Sequence, residues 1–427
     1  MIERRDLIRY GAAALLSGCS SRTSERHTDR IRLWVGPNAA EEGFWKIAVA
    51  RWNAERRGLP VSFTTIPTAG NSEDTVLSAL VAGTEPDLST NIFSGFAVQL
   101  ATLGQIENLA AMPGYAELIA RRHMASIMPG WTQGGRVFAL PLYSSPTLLW
   151  WRADLLEANG LSAPPRTYDE VYGFSDRYAG ATRESRYGMQ VIAGRAWQDR
   201  WFDFISFYYA ASRGRPYLDE RHALYANPAG FQVATFMDRM FRQRWTALDF
   251  DAEEPLVSGL AAGAVRGPWD VERFANLYPD TLARIEVGPM VAATPSEGPA
   301  ATFSDSKGMV IFRNSRVKRQ AFDFLAWALG DEEMNLLWLQ RTGLSPARAD
   351  LLQNPRFADY YRKSAIGRAY AAHVASARPP ALSEHTIDVQ KIMSSALVEP
   401  LMTGLKSPRD ALTDAVAATD RMLEAQA

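Results

Sequence analysis

The sequence predicts an α/β protein that is divided into more than one lobe. From residue 30 onward, strand-like and helix-like segments alternate, which is typical of a mainly parallel sheet covered by helices. The chain has 427 residues, and at about 150 residues per domain this length predicts two or three lobes. Hydrophobic residues make up 47% and charged residues 22% of the chain, as expected of a folded protein with a sizeable core.

The first elements are marked by their periodicity. Residues 30–35 alternate polar and apolar side chains, which predicts a strand, and a loop at 36–38 leads into a helix. A second strand at 61–65 and a helix at 71–81 complete a strand–helix–strand–helix order. Later strands are predicted at 136–143, 148–151 and 307–312, and later helices at 197–250, 320–329, 332–340 and from Ser407 onward.

The loops that follow the predicted strands supply candidate binding residues. Ligands of open α/β sheets bind at the carboxyl ends of the strands. We therefore single out Asn38 and Glu42 in the first loop, and Asp87 and Asn91 in a later one. Each has a structural alternative: Asn38 could be a turn residue or a helix cap, and Asp87 could cap the segment after Pro86.

The segment Gly267-Pro268-Trp269 predicts a sharp loop that ends in a large aromatic side chain. An indole at a loop tip is poorly placed to fill a core but can offer a flat apolar face to a ligand. Packing of the loop onto the body is the alternative reading. A sugar ring needs such a flat face, together with amides, carboxylates or guanidinium groups for its hydroxyls.

Composition and motifs argue against several classes of function. The formal net charge is −1, which gives no indication of nucleic-acid binding. The five histidines are scattered and there is a single cysteine, so no metal site or cofactor is predicted. Serine-hydrolase, zinc-protease and P-loop motifs are absent from the sequence, and the Ser-x-x-Lys pattern at Ser304 recurs at Ser315 without partner motifs. No catalytic residue is therefore assigned.

The amino terminus predicts export and lipid attachment. Arg4-Arg5 and the short apolar run 11–16 resemble a twin-arginine signal, and the run is too short to span a bilayer as a helix. The sequence Leu16-Ser-Gly-Cys19 resembles a bacterial lipobox, which implies a signal peptide at 1–18 and lipid attachment at Cys19. Residues 19–29 would then form a polar tether. A small buried apolar residue is the alternative for Cys19.

Seven segments, in order, resemble the bacterial extracellular solute-binding family that includes maltose-binding-protein-like receptors. They begin with Ala82-Gly-Thr-Glu-Pro-Asp-Leu88 and include the Gly-Pro-Trp segment. The others are 103–109, 135–141, 151–155, 160–170 and 342–346. Two departures from the family pattern leave the identity of the ligand open. Trp151 or its neighbour replaces the Asn of the family's usual Tyr-Asn pair, and residues 302–306 stand where the family commonly has Gly-Gly.

The resemblance implies a two-lobe periplasmic-binding-protein fold of type II, with a ligand cleft and a hinge between the lobes. It implies an N-terminal lobe of residues 30–142 plus 301–346 and a C-terminal lobe of residues 143–300 plus 347–427. The crossings would lie near 141–143, near 300 and near 343–346. The lobes would rotate about these segments as a ligand is enclosed.

The same resemblance ranks the candidates for ligand contact. Trp269 is the first choice for stacking, with Trp201 and Asp203 next because they precede the segment 210–214, which resembles a ligand-adjacent turn. Core packing is the alternative for Trp201 and ordinary packing for Tyr143, which lies at a predicted crossing. The remaining candidates lie at the late loop and before the last crossing: Ser304, Asp305, Lys307 and Arg341.

The implied function is that of a substrate-binding lipoprotein of a carbohydrate ABC importer. It would capture a mono- or disaccharide, resembling maltose or trehalose, and deliver it to membrane permease subunits driven by a cytoplasmic ATPase. We expect a monomer in the periplasm or on the outer face of the cytoplasmic membrane, held there only by its lipid. Three alternatives remain: a receptor for a polyol or a sugar phosphate such as glycerol 3-phosphate, bound through Lys307 and Arg341; a carbohydrate-cleaving lipoprotein; and a scaffold lipoprotein.

Overall fold

Two separate sheets, each with its own apolar core, organise the chain. The computed structural model describes residues 28–67, 72–180, 185–191, 196–219 and 221–426. The strands are β1 (Ile31–Val35), β2 (Val61–Thr65), β3 (Leu88–Ile92), β4 (Thr132–Gln133), β5 (Arg136–Val137), β6 (Leu140–Pro141), β7 (Leu148–Arg152), β8 (Gly263–Arg266), β9 (Ile285–Gly288), β10 (Thr302–Phe303), β11 (Gly308–Ile311) and β12 (Ala377–Arg378).

Helices cover both sheets. They are α1 (Ala39–Ala54), α2 (Ser72–Ala82), α3 (Ser94–Thr102), α4 (Tyr115–Arg121), α5 (Ala153–Ala158), α6 (Tyr168–Gly180), α7 (Trp197–Ser212), α8 (Pro228–Arg242), α9 (Pro255–Ser258), α10 (Asp270–Leu277), α11 (Pro279–Leu282), α12 (Lys318–Gly330), α13 (Glu332–Thr342), α14 (Pro355–Arg362), α15 (Ala365–His373), α16 (Thr386–Ile392), α17 (Glu399–Met402) and α18 (Pro408–Gln426). A π-helical turn, Met393–Val398, joins α16 to α17.

The first lobe is built on the five-stranded sheet, with strand order β2-β1-β3-β11-β6. β1 pairs in parallel with β2 and β3, whereas β11 runs antiparallel to β3 and β6. The apolar side chains that α1 turns toward this sheet, such as Phe44 and Ala48, are buried with β1 in one core cluster. The predicted strand–helix–strand–helix order is confirmed here, and the sheet is mainly parallel, because β11 alone runs against the other four strands.

The second lobe is built on β8-β7-β9, in which both pairings are antiparallel. Helices α6, α7 and α8 supply an aromatic-rich core, which includes Tyr168 stacked on Phe236 with ring centroids 4.4 Å apart. The helix predicted from residue 407 is confirmed as α18. It begins with Ser407, whose hydroxyl accepts the backbone N–H of Asp410 at 3.2 Å.

Three segments lie side by side where the lobes meet, and the first two carry the chain from one lobe to the other. We call residues 143–147, 302–306 and 345–346 the crossing segments. Tyr143 pairs with Pro346 and Pro146 pairs with Ser304 as single β-bridges. The backbone N–H of Ser144 donates to the Ser345 carbonyl at 2.9 Å. The predicted crossings at 141–143, near 300 and at 343–346 therefore come together in one place.

A buried arginine holds the first crossing segment against α13. Arg122 donates to the carbonyl oxygens of Pro141 at 2.6 Å and Leu142 at 2.5 Å, and to the side-chain oxygen of Asn335 at 3.2 Å. Burial of the guanidinium, together with the nearby charge of Arg348, lowers the pKa of Arg122 to about 9.

The division between the lobes differs from the predicted one after residue 346. Ala347, Leu351 and Phe357 are buried in the core of the first lobe, not the second. Tyr370 on α15 instead packs with Trp150 and Phe274 beneath the second sheet. The physical reason is that the apolar side chains of α14 pack into the first core, and Ala371 and Val374 at the end of α15 also lie in it, so α15 contacts both lobes.

Most of the amino-terminal segment precedes the residues that the structure describes. Cys19, the signal peptide and most of the tether lie outside the described residues. Asn71, the predicted first residue of the second helix, also lies outside them, and α2 is described from Ser72. Within the described ranges, no helix is long and apolar enough to cross a membrane.

Candidate functional site

A cavity of about 530 Å³ lies between the two lobes. Its first-lobe wall is formed by the start of α1, by residues 340–345 at the end of α13, and by part of α14. Its second-lobe wall is formed by residues 268–272, at the Gly-Pro-Trp loop and the first turn of α10, and the wall is completed by α15. A space of this size at a boundary between lobes is the usual position and volume of a small-molecule site.

Trp269 presents its indole to this cavity. The side chain is 42% exposed, and its ring lies 5.9 Å from that of Phe202, with the two planes at 73°. The ring folds back over Gly267, where a Cβ atom would overlap the indole. Glycine at position 267 therefore allows the orientation of the indole, and Phe202 supports its edge.

Buried ion pairs fix the loop that carries Trp269. Arg266, directly before the loop, donates to the Glu254 carboxylate at 2.8 Å and lies 3.5 Å from that of Asp270. Its backbone carbonyl accepts the hydroxyl of Tyr370 at 3.0 Å. Both ends of the loop are thus tied to buried groups of the second lobe, which makes the indole a preorganised surface.

The opposite wall is polar. Asn38 caps α1, and its side-chain oxygen accepts the backbone N–H groups of Ala40 and Glu41 at 3.0 and 3.1 Å. Asn38 lines the cavity, as does the exposed Arg341. Ser345 and Tyr361 meet at the base of the wall, with their hydroxyls 3.2 Å apart.

A buried polar cluster lies next to this wall, at the first-lobe end of the crossing segments. Glu41 is only 7% exposed, and burial raises the pKa of its carboxyl to about 7 against the attraction of Lys307. Tyr143 stacks on Trp338 with ring centroids 5.6 Å apart. Burial, followed by the charges of Glu41 and Asp305, raises the pKa of Tyr143 well above its usual value. Lys307 lies 3.8 Å from the Asp305 carboxylate.

Of the predicted site residues, the structure brings Asn38, Trp269 and Arg341 together on the cavity wall. Tyr143 belongs to the adjacent buried cluster, and Asp305, whose side chain is 46% exposed, lies at the edge of that cluster. Asn91 lies at the carboxyl end of β3, where its amide donates to Ser72 at 3.0 Å.

Two predicted residues are engaged within the scaffold. Asp87 lies at the amino end of β3, where its carboxylate accepts the Arg32 backbone N–H at 2.8 Å and the Ser315 hydroxyl at 2.6 Å. Ser304 is 1% exposed, and its hydroxyl contacts Ser144, Ser306 and the backbone N–H of Ser145. Neither residue lines the cavity, so we leave both out of the site.

Three further predicted residues also lie off the cavity wall. Trp201 and Asp203 on α7 are 4% and 1% exposed, and the Trp201 ring packs against those of Tyr217 and Phe303. This is the core alternative that the sequence left open for Trp201. Glu42 is half-buried on α1, one residue beyond the buried Glu41.

Sequence reasoning missed Glu41 and the three tyrosines of the wall, Tyr360, Tyr361 and Tyr370. A signal for Glu41 was present, because positions 41, 44, 45 and 48 share one helical face and the last three are apolar. The tyrosines carry no such signal. They lie on short helices that meet the cavity only through the tertiary packing of α14 and α15.

The wall carries the kinds of groups that bind a polar ring. One flat aromatic ring faces amide, hydroxyl and guanidinium groups, which can pair with a ring-shaped polar ligand. Among the described lining residues, Glu272 is the only acid. In the same described ranges, no group of three histidine, cysteine or acidic residues is arranged to hold a metal ion.

Comparisons with known proteins agree with this architecture. The model of the bacterial extracellular solute-binding protein family matches residues 48–363. A curated binding protein of Brucella abortus (strain 2308) is 23% identical over 432 residues, covering 98% of this chain and all of the relative.

Among solved structures, an uncharacterized protein of Listeria monocytogenes superposes with a TM-score of 0.86 at 27% identity, over 92% of this chain and all of that one. The cyclic alpha-maltosyl-1,6-maltose binding protein of Arthrobacter globiformis superposes with a TM-score of 0.79 at 18% identity, over 92% and 98% of the two chains. The fold is thus the two-lobe periplasmic-binding-protein fold that the sequence predicted, and the chain belongs to the bacterial extracellular solute-binding protein family.

Proposed function

We propose that this protein is the receptor of a carbohydrate ABC importer and captures a neutral mono- or disaccharide of the maltose or trehalose kind between its lobes. The observation that carries the proposal is the exposed indole of Trp269, held opposite a polar wall across a cavity of about 530 Å³. One face of a sugar ring would stack on the indole. Its hydroxyls would pair with Asn38, Arg341 and the hydroxyl groups of the wall.

The charges near the site favour a neutral ligand over a phosphorylated one. The Lys307 ammonium group lies 3.8 Å from the Asp305 carboxylate and also interacts electrostatically with Glu41. Two carboxyl groups therefore already lie near this cation. Arg341 is exposed on the cavity wall, and Glu272 lies on the opposite side. A glycerol 3-phosphate receptor would need cations that are free to neutralise the anion. We therefore keep the sugar phosphate as the second candidate.

The arrangement of acids also disfavours a carbohydrate-cleaving enzyme. Such an enzyme needs two carboxyl groups on either side of the scissile bond, typically at a separation of about 5–10 Å. Glu272 is the only carboxylate among the described residues of the wall. The proposal is thus a non-catalytic receptor that would require no cofactor.

Delivery to the membrane is part of the same proposal. The receptor would be exported, lipidated at Cys19 and held as a monomer on the outer face of a membrane or in the periplasm. It would pass its ligand to permease subunits driven by a cytoplasmic ATPase. The lipobox-like sequence at Cys19 and membership of the solute-binding family support this step.

A thermal-shift screen followed by titration calorimetry tests the proposed function. We expect maltose, trehalose or a related sugar to raise the melting temperature by mass action, whereas glycerol 3-phosphate should give no shift. A shift with the phosphate alone would replace the first candidate with the second. Turnover of any sugar during the incubation, followed by chromatography, would contradict the receptor assignment.

A further inference from the structure

A second cavity, of about 520 Å³, adjoins the one between the lobes. The two cavities share Gln340, Tyr360 and Ser364 as lining residues, so these three side chains border both of them. The second cavity then follows the groove between α13 and α14 away from the lobe boundary. We call it the outer groove; the rest of its lining is Leu336, Arg356, Asp359 and Lys363.

The outer groove has the same mixed chemistry as the first cavity. Leu336 and Tyr360 are half-buried and supply apolar surface, while Arg356, Asp359 and Lys363 are exposed and polar. The ring of Tyr360 is supported by that of Tyr361, at a centroid distance of 5.2 Å with the planes at 84°. A supported aromatic ring beside a polar rim suits the apolar face and the hydroxyls of a sugar.

We infer that the outer groove is a second subsite, which holds further rings of an oligosaccharide whose first rings lie against Trp269. This inference rests on the proposed function and deepens it, because it makes the preferred ligand an oligosaccharide of at least three rings. Tyr360 would be the aromatic residue that the two subsites share. A disaccharide would occupy the cavity between the lobes and leave the outer groove to water.

The position of the outer groove predicts how the additional rings act. Its lining residues all lie between 336 and 364, on α13, on α14 and just beyond them, and these helices pack on the first lobe. Rotation of the second lobe would therefore enclose the rings near Trp269 but not those in the outer groove. Additional rings should strengthen binding without changing the extent of closure.

The test is a chain-length series on the intact mature protein. Titration calorimetry would use maltose, maltotriose and maltotetraose, with arabinobiose and arabinotriose as a second series. We expect about a tenfold gain in affinity from two rings to three, which corresponds to about 1.4 kcal/mol. The radius of gyration from small-angle X-ray scattering should fall equally with two rings and with three.

Two variants act on the outer groove by different means. Tyr360→Ala removes a ring that lines both cavities, so it should weaken disaccharide binding as well as abolish the gain at the third ring. Leu336→Trp fills the outer groove only, so it should abolish the gain and leave disaccharide affinity within about twofold. Phe231→Ala, which removes a 43% exposed ring on α8, is the matched control and should keep the gain. Melting temperatures identify any variant that has lost its fold.

The outcomes separate the subsite from the proposed function. Disaccharide binding with no gain at the third ring would overturn the subsite and leave the receptor proposal standing. A gain that persists in both variants would also overturn it. Failure of every sugar to bind would overturn the proposed function, and the subsite with it.

Discussion

The hydroxyl oxygens of Ser144 and Ser304 lie 3.1 Å apart and join two of the segments that cross between the lobes. The Ser304 hydroxyl also accepts the backbone N–H of Ser145 at 3.0 Å and lies 2.6 Å from that of Ser306. All four residues are buried. A residue that the sequence suggested as a ligand contact is thus the centre of a hydrogen-bond network within the hinge region.

Replacing Ser304 with alanine should destabilise the protein more than it weakens ligand binding. The buried N–H of Ser145 would lose its acceptor, which costs about 1–3 kcal/mol in the free energy of unfolding. Urea denaturation measures this loss. Ser144→Ala is the control, because it removes only the partner hydroxyl and should cost less. Equal stability of the wild type and Ser304→Ala would refute the network.

Replacing Trp269 with alanine should weaken sugar binding by about 1–3 kcal/mol, because the stacking surface is lost. The body should remain folded, since the indole is 42% exposed. Titration calorimetry measures the affinity, and thermal unfolding measures the stability. Phe231→Ala removes a similarly exposed ring elsewhere and should bind like the wild type. Unchanged affinity in Trp269→Ala would exclude the indole from the site.

Replacing Gly267 with alanine should reduce affinity nearly as much as the loss of the indole. A Cβ atom at this position would overlap the ring of Trp269 and turn it away from its observed orientation. Gly267 does not have a positive φ angle, so alanine at this position introduces no backbone strain of the left-handed region. Calorimetry on Gly267→Ala, compared with Gly43→Ala on α1, where the added Cβ meets no atom, measures the effect.

Glu41 should make stability depend on pH. Burial raises its pKa from 4.5 to about 7, so the native state holds the proton to higher pH than the unfolded state does. The free energy of unfolding should therefore fall as pH rises from about 4.5 to 7, by on the order of 3 kcal/mol in total. Glu41→Gln should lack this decline.

Urea denaturation at pH 5 and pH 8 checks this difference between the two proteins. Glu42→Gln, at the half-buried neighbouring position, is the control and should follow the wild type. Parallel stability profiles of the wild type and Glu41→Gln would show that the Glu41 carboxyl is not responsible. If sugar hydroxyls donate to this carboxylate, binding at pH 7 should also release a proton, which calorimetry in buffers of different ionisation enthalpy detects.

Replacing Cys19 with serine should release the exported protein from the membrane. The thiol is the attachment point that the lipobox-like sequence predicts, and Cys19 is the only cysteine in the chain. Fractionation of cells, with immunoblotting of membrane and soluble fractions, measures the change. Ser20→Ala leaves the thiol in place and should stay with the membrane. Retention of Cys19→Ser on the membrane would refute lipid anchoring at this residue.

Local periodicity was enough to predict much of the first lobe. The strands at 31–35 and 61–65 and the helix that buries Phe44 follow from alternation and helical spacing alone. The antiparallel pairing of β11 with β3 in the first sheet could not be predicted in this way. It depends on a chain crossing that returns more than 200 residues after β3, and no local pattern records such a return.

The site was only partly predictable for a related reason. Trp269 could be identified because Gly267 and Pro268 mark an exposed loop in the sequence itself. Asp87 misled because a carboxylate after Pro86 looks the same in sequence whether it faces a ligand or, as here, the buried backbone of Arg32. Burial of Trp201 depended on the contact of α7 with β10, which is a tertiary property.

The indole and the polar wall belong to different lobes, which are joined covalently by the crossing segments and by the stretch of chain that leads from α14 through α15. Substitutions on either face can therefore accumulate separately, each within its own rigid body, while the serine network between them is left untouched. In the proposed receptor, changes to amides and hydroxyls on the first lobe would alter the ligand while the aromatic surface is kept. A change of ligand specificity would then need few substitutions, and the hydrogen bonds of the crossing segments would stay as they are.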